Sequence, residues 1–114
     1  MEGIYVKARL RIHDGQLDAF KAFAKQALEV VREKDTATHQ YDWFFNADEL
    51  ECVVLEHYAD SQAILDHAAH GGHLLGRLTE LADMSFEFYG APSTEVLDAV
   101  ADFKPATYTY FQGL

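Results

Sequence analysis

Along the first dozen residues, apolar Ile4, Val6, Ala8, Leu10 and Ile12 alternate with Tyr5, Lys7, Arg9, Arg11 and His13. A period of two puts one set on each face of an extended chain, so the segment predicts a half-buried β-strand. Asp14-Gly15 supplies a turn, and Asp14 is placed to accept from the free N–H groups of a following helix. From Gln16 to Lys34, apolar Leu17, Phe20, Ala24, Ala27, Leu28 and Val31 recur largely at steps of three and four, with Lys21, Lys25, Arg32 and Glu33 on the other side. That spacing predicts an amphipathic helix.

Thr38 to Phe45 predicts an aromatic strand, with His39, Tyr41, Trp43 and Phe45 on one face and Gln40, Asp42 and Phe44 on the other. Asn46-Ala47-Asp48-Glu49 has turn chemistry, and Leu50 to Tyr58 follows as a strand rich in Val and Leu, so the two form a hairpin. Asp60-Ser61 can cap a helix containing Ala63, Ile64, Leu65 and Ala68. Gly71-Gly72 interrupts it, and a further turn or two of helix runs from His73 to Leu81. Met84, Phe86 and Phe88 alternate with Ser85, Glu87 and Tyr89 as a fourth strand. After Gly90-Ala91-Pro92-Ser93, a short helix is expected over Thr94–Ala101, Pro105 blocks its continuation, and Thr107–Phe111 forms the last strand.

The resulting order, β-α-β-β-α-β with an appended α-β, predicts an α+β protein: a ferredoxin-like split βαβ sandwich with its helices on one face of an antiparallel sheet. Residues 1–114 form one domain on this reading. Apolar and aromatic side chains are not confined to one strand face, so the second face of the sheet needs a cover. A partner sheet is the simplest one, the last strand could reach across to it, and a homodimer is expected.

Composition narrows the partners. Nine Lys and Arg against nineteen Asp and Glu leave a net charge of -10. That balance argues against a nucleic-acid partner and against a polybasic membrane surface. The apolar runs are only a few residues long, far from the roughly 20 needed to span a bilayer. Met1-Glu2-Gly3 leads into the first strand with no signal-peptide pattern, and the single cysteine, Cys52, fits a reducing compartment, so a cytoplasmic protein is expected. Cys52 lies in a strand pattern and reads as a buried thiol rather than a nucleophile.

Chemistry-bearing residues are densest between Glu56 and His73. Period two puts Glu56 and Tyr58 on one strand face. Ala63, His67 and His70 fall on one helical stripe. If that stripe faces the sheet, the His67 imidazole can take a proton from an acidic hydroxyl, with Glu56 either orienting it or acting as the base. The competing reading makes His67 a hydrogen-bonded packing residue, Glu56 an acceptor for a Tyr hydroxyl, and His57, on the opposite strand face, part of an interface. His67, His70 and His73 do not share one helical face and no partner carboxylate motif accompanies them, so no metal site is expected. No glycine-rich nucleotide loop follows a strand, and no cofactor is expected. Tyr41, Trp43, Phe45, Phe86, Phe88 and Tyr89 are mostly core, with Tyr41, Trp43 and Phe86 as candidates for the wall of a pocket for a flat ligand.

The element order together with Glu56-x-Tyr58-x-Asp60-x-x-Ala63-x-x-x-His67 resembles the antibiotic biosynthesis monooxygenase family of dimeric α+β barrels, over about residues 3–90, and within it the quinol monooxygenases. The resemblance implies a homodimer of facing sheets, a ligand cavity between sheet and helices, and oxidation of a small aromatic quinol or phenol by molecular oxygen without metal or flavin. It carries His67 over as a pocket residue and candidate base, with Glu56 its strand-borne neighbour. No family Trp transfers to Trp43 by position, and the expected substrate-binding set is Tyr58, Trp43, Tyr41, His70, His73 and Phe86. Tyr58 stands where many members have Trp, and His73 matches a second family His at a spacing one residue longer. Haem-degrading relatives use an Asn on the first strand and a Trp on the third, and this chain has neither, so haem degradation is disfavoured. A non-catalytic dimeric ligand-binding or stress protein, or a small-molecule isomerase, stays open on the same fold.

Overall fold

The computed structural model describes residues 2–114; Met1, where the reading of the N-terminus begins, lies outside them. The elements are β1 (Ile4–Ile12), α1 (Leu17–Lys34), β2 (Thr38–Phe45), β3 (Glu51–Tyr58), α2 (Ser61–Gly71), α3 (Leu74–Leu81), β4 (Ala82–Tyr89), α4 (Thr94–Ala99) and β5 (Ala106–Tyr108), with a single 3-10 turn at Ala101–Phe103. The strands form one sheet in the order β2-β3-β1-β4-β5. β1 lies at the centre, antiparallel to β3 on one side and β4 on the other, which is the split βαβ arrangement expected from the alternating patterns.

The period of two is visible as burial. Ile4, Val6, Ala8, Leu10 and Ile12 on β1, and Cys52, Val54, Glu56 and Tyr58 on β3, are buried under the helices. The other sheet face is open: Tyr5 is 39% and Phe44 53% exposed. α1 buries Phe20, Phe23, Ala24 and Ala27 at steps of three, one and three, and Phe23 was not among the apolar positions read from the spacing. The core falls into two clusters, one around Phe20, Leu10 and Leu81, the other around Tyr58, Phe88 and Val96, with Phe86 packed against both.

Four local expectations are corrected. Asp14 does not cap α1. The Gln16 N–H bonds the His13 carbonyl at 3.0 Å, so the turn closes first and the helix starts at Leu17, with Gln16 at the cap and no side-chain cap bond. His39 is not on the Tyr41 face. A bulge between Thr38 and Gln40 inserts one residue, and His39 turns outward to sit 5.2 Å from the His57 ring. α4 ends two residues early, at Ala99, where the chain tightens into the 3-10 turn and leaves through Lys104 at φ 51°. β5 spans three residues and pairs in parallel with β4 of the same chain at Glu87–Tyr89, so the sheet is mostly rather than wholly antiparallel.

One glycine fixes where β1 enters. Gly3 has φ 76°, and a Cβ there would stand 2.2 Å from the Tyr58 carbonyl oxygen. Only glycine tolerates both the left-handed conformation and that approach. Among the described residues no helix is long and apolar enough to cross a membrane.

Candidate active site

A cavity of about 200 Å³ opens between the sheet and the helices. Its floor is Val6, Ala8, Val54 and Phe88 from the strands, and its roof Phe23, Ala27 and Val31 from α1 with Ile64 and Ala68 from α2. It draws its walls from both core clusters, so it lies at their seam. Engineered apolar cavities of about 150 Å³ bind benzene. The space suits one substituted ring or a small bicyclic.

Polar groups in this wall are few: His67, Glu56, Tyr58, Tyr41 and Trp43. His67 is placed by α2, which Asp60 caps by accepting from the Ala63 N–H at 2.9 Å. Its ring lies between two tyrosines, with centroids 5.1 Å from Tyr41 and 5.4 Å from Tyr58, both tilted. Tyr41 in turn meets Trp43 edge to face at 5.7 Å. The Trp43 indole nitrogen is buried without a hydrogen-bond partner.

Behind His67 stands a residue that the sequence pattern did not single out. Asp35 is the C-cap of α1, and its side chain is only 3% exposed. His67 Nδ1 donates to one carboxylate oxygen at 2.8 Å, His70 Nδ1 to the other at 2.7 Å, and the Thr38 hydroxyl adds a bond of 2.7 Å. Burial pushes the Asp35 carboxyl up, but the bonds from His70, His67 and Thr38 outweigh it and hold the group below its ordinary 3.8. An ionised carboxylate only accepts, so Nδ1 of both rings carries the proton. In neutral His67 that leaves the Nε2 lone pair free, and Nε2 has no protein partner among the described residues. A signal for Asp35 did exist. A carboxylate at a helix C-terminus opposes the macrodipole, which marks the position without naming its partner.

Glu56 is a second buried acid, at 7% exposure, on β3. Tyr58 donates its hydroxyl to Glu56 Oε1. Burial pushes the Glu56 carboxyl up, against the lowering pull of His67 and of the Tyr58 bond. Tyr58 and Tyr41 are both pushed well above 10 by burial, with the Glu56 charge adding to it. Neither phenol is set to ionise.

Of the eight residues singled out beforehand, His67, Glu56, Tyr58, Tyr41, Trp43 and Phe86 line this cavity. His70 is drawn to Asp35 on the far side and does not line it. His73 is exposed at the N-cap of α3 and does not line the cavity, although Gly72 and Leu74 on either side of it do. No group of three or more His, Cys, Asp or Glu side chains among the described residues is arranged to hold a metal ion. The Cys52 thiol is buried, and burial pushes it up to about 11, so it is unreactive.

The sequence profile of the antibiotic biosynthesis monooxygenase family matches residues 3–75, from β1 through the Gly71-Gly72 break. The chain belongs to this family. Solved structures of similar fold include MupZ from Pseudomonas fluorescens, at 24% identity and a TM-score of 0.82 over 100% of this chain and 94% of that one. Rv0793 from Mycobacterium tuberculosis is 23% identical with a TM-score of 0.69 over 81% of this chain and 96% of that one. SnoaB from Streptomyces nogalater, a cofactor-independent oxygenase, is 14% identical with a TM-score of 0.69 over 82% and 97%. At these identities the likeness concerns the fold. The similarity to MupZ extends through α4 and β5. Comparison with curated protein sequences finds no significant match.

Proposed function

We propose that this antibiotic biosynthesis monooxygenase family member is a cofactor-independent oxygenase of a small aromatic quinol or phenol. The observation that carries the reading is His67, held from behind by Asp35, in the wall of a largely apolar cavity of about 200 Å³. The substrate hydroxyl gives its proton to His67 Nε2, and the imidazolium is stabilised by the Asp35 carboxylate behind it. The resulting anion is electron-rich and reduces molecular oxygen directly. One oxygen atom bonds to a ring carbon that carries hydrogen, the O–O bond then breaks, and the second atom leaves as water. Quinol plus oxygen thus gives hydroxyquinone plus water, with all four electrons supplied by the substrate and no external reductant. Tyr41 and Tyr58 hold the imidazole plane, while Trp43 and Phe86 pack the ring of the substrate.

A homodimer belongs to the same proposal. The sheet face away from the helices exposes Tyr5 and Phe44, with Val53 and Leu55 beside them, and a second sheet would cover it. Light scattering at micromolar concentration tests this, and a monomer sinks the barrel. The lone buried thiol fits a cytoplasmic setting.

The deciding experiment is oxygen uptake by chelator-treated protein with hydroquinones and naphthols. Uptake should survive chelation and be lost in His67→Ala. Uptake unchanged in that variant removes His67 from the mechanism. One observation favours a second reading. Asp35 ties the end of α1 to α2 through His67 and His70 and to β2 through Thr38, which suits a structural clamp in a non-catalytic ligand-binding protein. In that case the substitution lowers stability by about 1–3 kcal/mol and there is no turnover to lose.

A further inference from the structure

The cavity wall holds a carboxyl group as well as the His67 imidazole. Glu56 lines the same space as His67 and accepts from Tyr58 through one oxygen; its other oxygen has no partner among the described residues. Burial favours the neutral carboxyl there. A carboxylic acid kept neutral by an apolar site can donate a hydrogen bond to oxygen, the device that ketosteroid isomerase uses to hold an enolate. Deprotonating a phenol needs only the base, so Glu56 is left without a part in the first step of the oxygenation proposed above.

We propose a second activity of this site, independent of oxygen: enolisation of a cyclic aryl ketone, with His67 Nε2 taking a proton from the carbon next to the carbonyl and Glu56 donating to the carbonyl oxygen. The C–H bond breaks and its electron pair forms the C=C bond. The C=O π pair moves onto oxygen, which takes the Glu56 proton. The reverse steps return a proton to the same carbon or, in an unsaturated ketone, to the far end of the conjugated system, which moves the double bond. No electrons leave the substrate, so no oxidant is needed. The ligand class is an uncharged ring ketone of one or two rings, because apart from Tyr41, Trp43 and Tyr58 the remaining wall is apolar, with Val6, Val54, Ile64 and Phe88 in it. The inference shares the Asp35–His67 base with the proposed oxygenation and nothing else.

The test is hydrogen–deuterium exchange of β-tetralone in deuterium oxide under argon, followed by proton NMR, with oxygen uptake on hydroquinones measured separately. Wild-type protein should speed loss of the benzylic α-proton signal by about 100-fold or more over buffer. His67→Gln should abolish the acceleration, and Glu56→Gln should cut it by about 10–100-fold. Circular dichroism checks that both variants are folded. Exchange no faster than buffer with wild type overturns the proposal, as does acceleration undiminished in folded Glu56→Gln. Exchange without oxygen uptake would leave enolisation standing and remove the oxygenase; uptake without exchange would do the reverse.

Discussion

Two pairs of histidines sit on opposite faces of the same sheet and meet opposite fates. Beneath the helices, His67 and His70 share the buried Asp35 carboxylate at 2.8 and 2.7 Å. On the open face, His57 stacks flat on Tyr5 at 3.9 Å and bonds only the Glu2 carbonyl at 2.9 Å, with His39 edge-on beside it. The inner pair has a charged partner that fixes the Nδ1 proton, and His67 of that pair has its second nitrogen facing a cavity. The outer pair has a backbone dipole, a ring face and solvent. Residue type is the same in both; the carboxylate and the enclosed space are what suit one of them to the role of base in the proposed function.

Breaking the inner pair should give the largest effect. His67→Ala is expected to lower oxygen-coupled turnover by about 10²–10⁴-fold, measured with an oxygen electrode. Asp35→Asn comes next. It keeps the shape but removes the charge behind the imidazole, and turnover should fall by about 10–100-fold.

Asp35 also sets a pH dependence. Its folded carboxyl lies below the unfolded 3.8, so the unfolded state holds the proton more tightly. Its stabilisation is complete above the unfolded value and is lost as pH falls through the lower folded one. Asp35→Asn should therefore cost about 1–3 kcal/mol at neutral pH. The deficit should shrink toward strong acid, read by urea denaturation across pH. An equal deficit at every pH would mean that shape, not charge, is what the position supplies.

Glu56 has the opposite sign. Its folded carboxyl is raised above 4.5, chiefly by burial, so the folded state holds the proton more tightly and stability falls as pH rises through the folded value. Glu56→Gln should gain about 1 kcal/mol of stability at alkaline pH and little in acid. The smallest effect is expected outside. His57→Ala loses a ring stack and a backbone bond, costing about 0.5–1 kcal/mol, and turnover should stay within about twofold of wild type. A large loss of turnover there would erase the contrast between the faces and make the outer histidines part of the chemistry through a dimer.

Much of this architecture can be read along the chain. The alternation of Ile4 to Ile12 and of Glu51 to Tyr58 fixes which faces of β1 and β3 are buried, because a strand's side chains point alternately up and down whatever it pairs with. The same rule sets Glu56 and Tyr58 side by side, and helical spacing sets His67 on one stripe with Ala63 and His70. His39 escaped it, since a one-residue bulge reverses the face and leaves no mark in an aromatic run. His73 is a different case: the Gly71-Gly72 break is legible in the sequence and already separates it from the His67 stripe, and the structure leaves it off the cavity wall.

The sequence by itself determined the order of elements, the shared face of Glu56 and Tyr58 and the helical stripe of His67, all of which follow from local periodicity; that the stripe meets that face is tertiary. Only the tertiary structure decided that Asp35 backs His67. They stand 32 positions apart, and no periodicity links the end of one helix to the middle of the next. Packing α1 and α2 side by side on the sheet brings them together, and burial of the carboxylate gives the contact its strength.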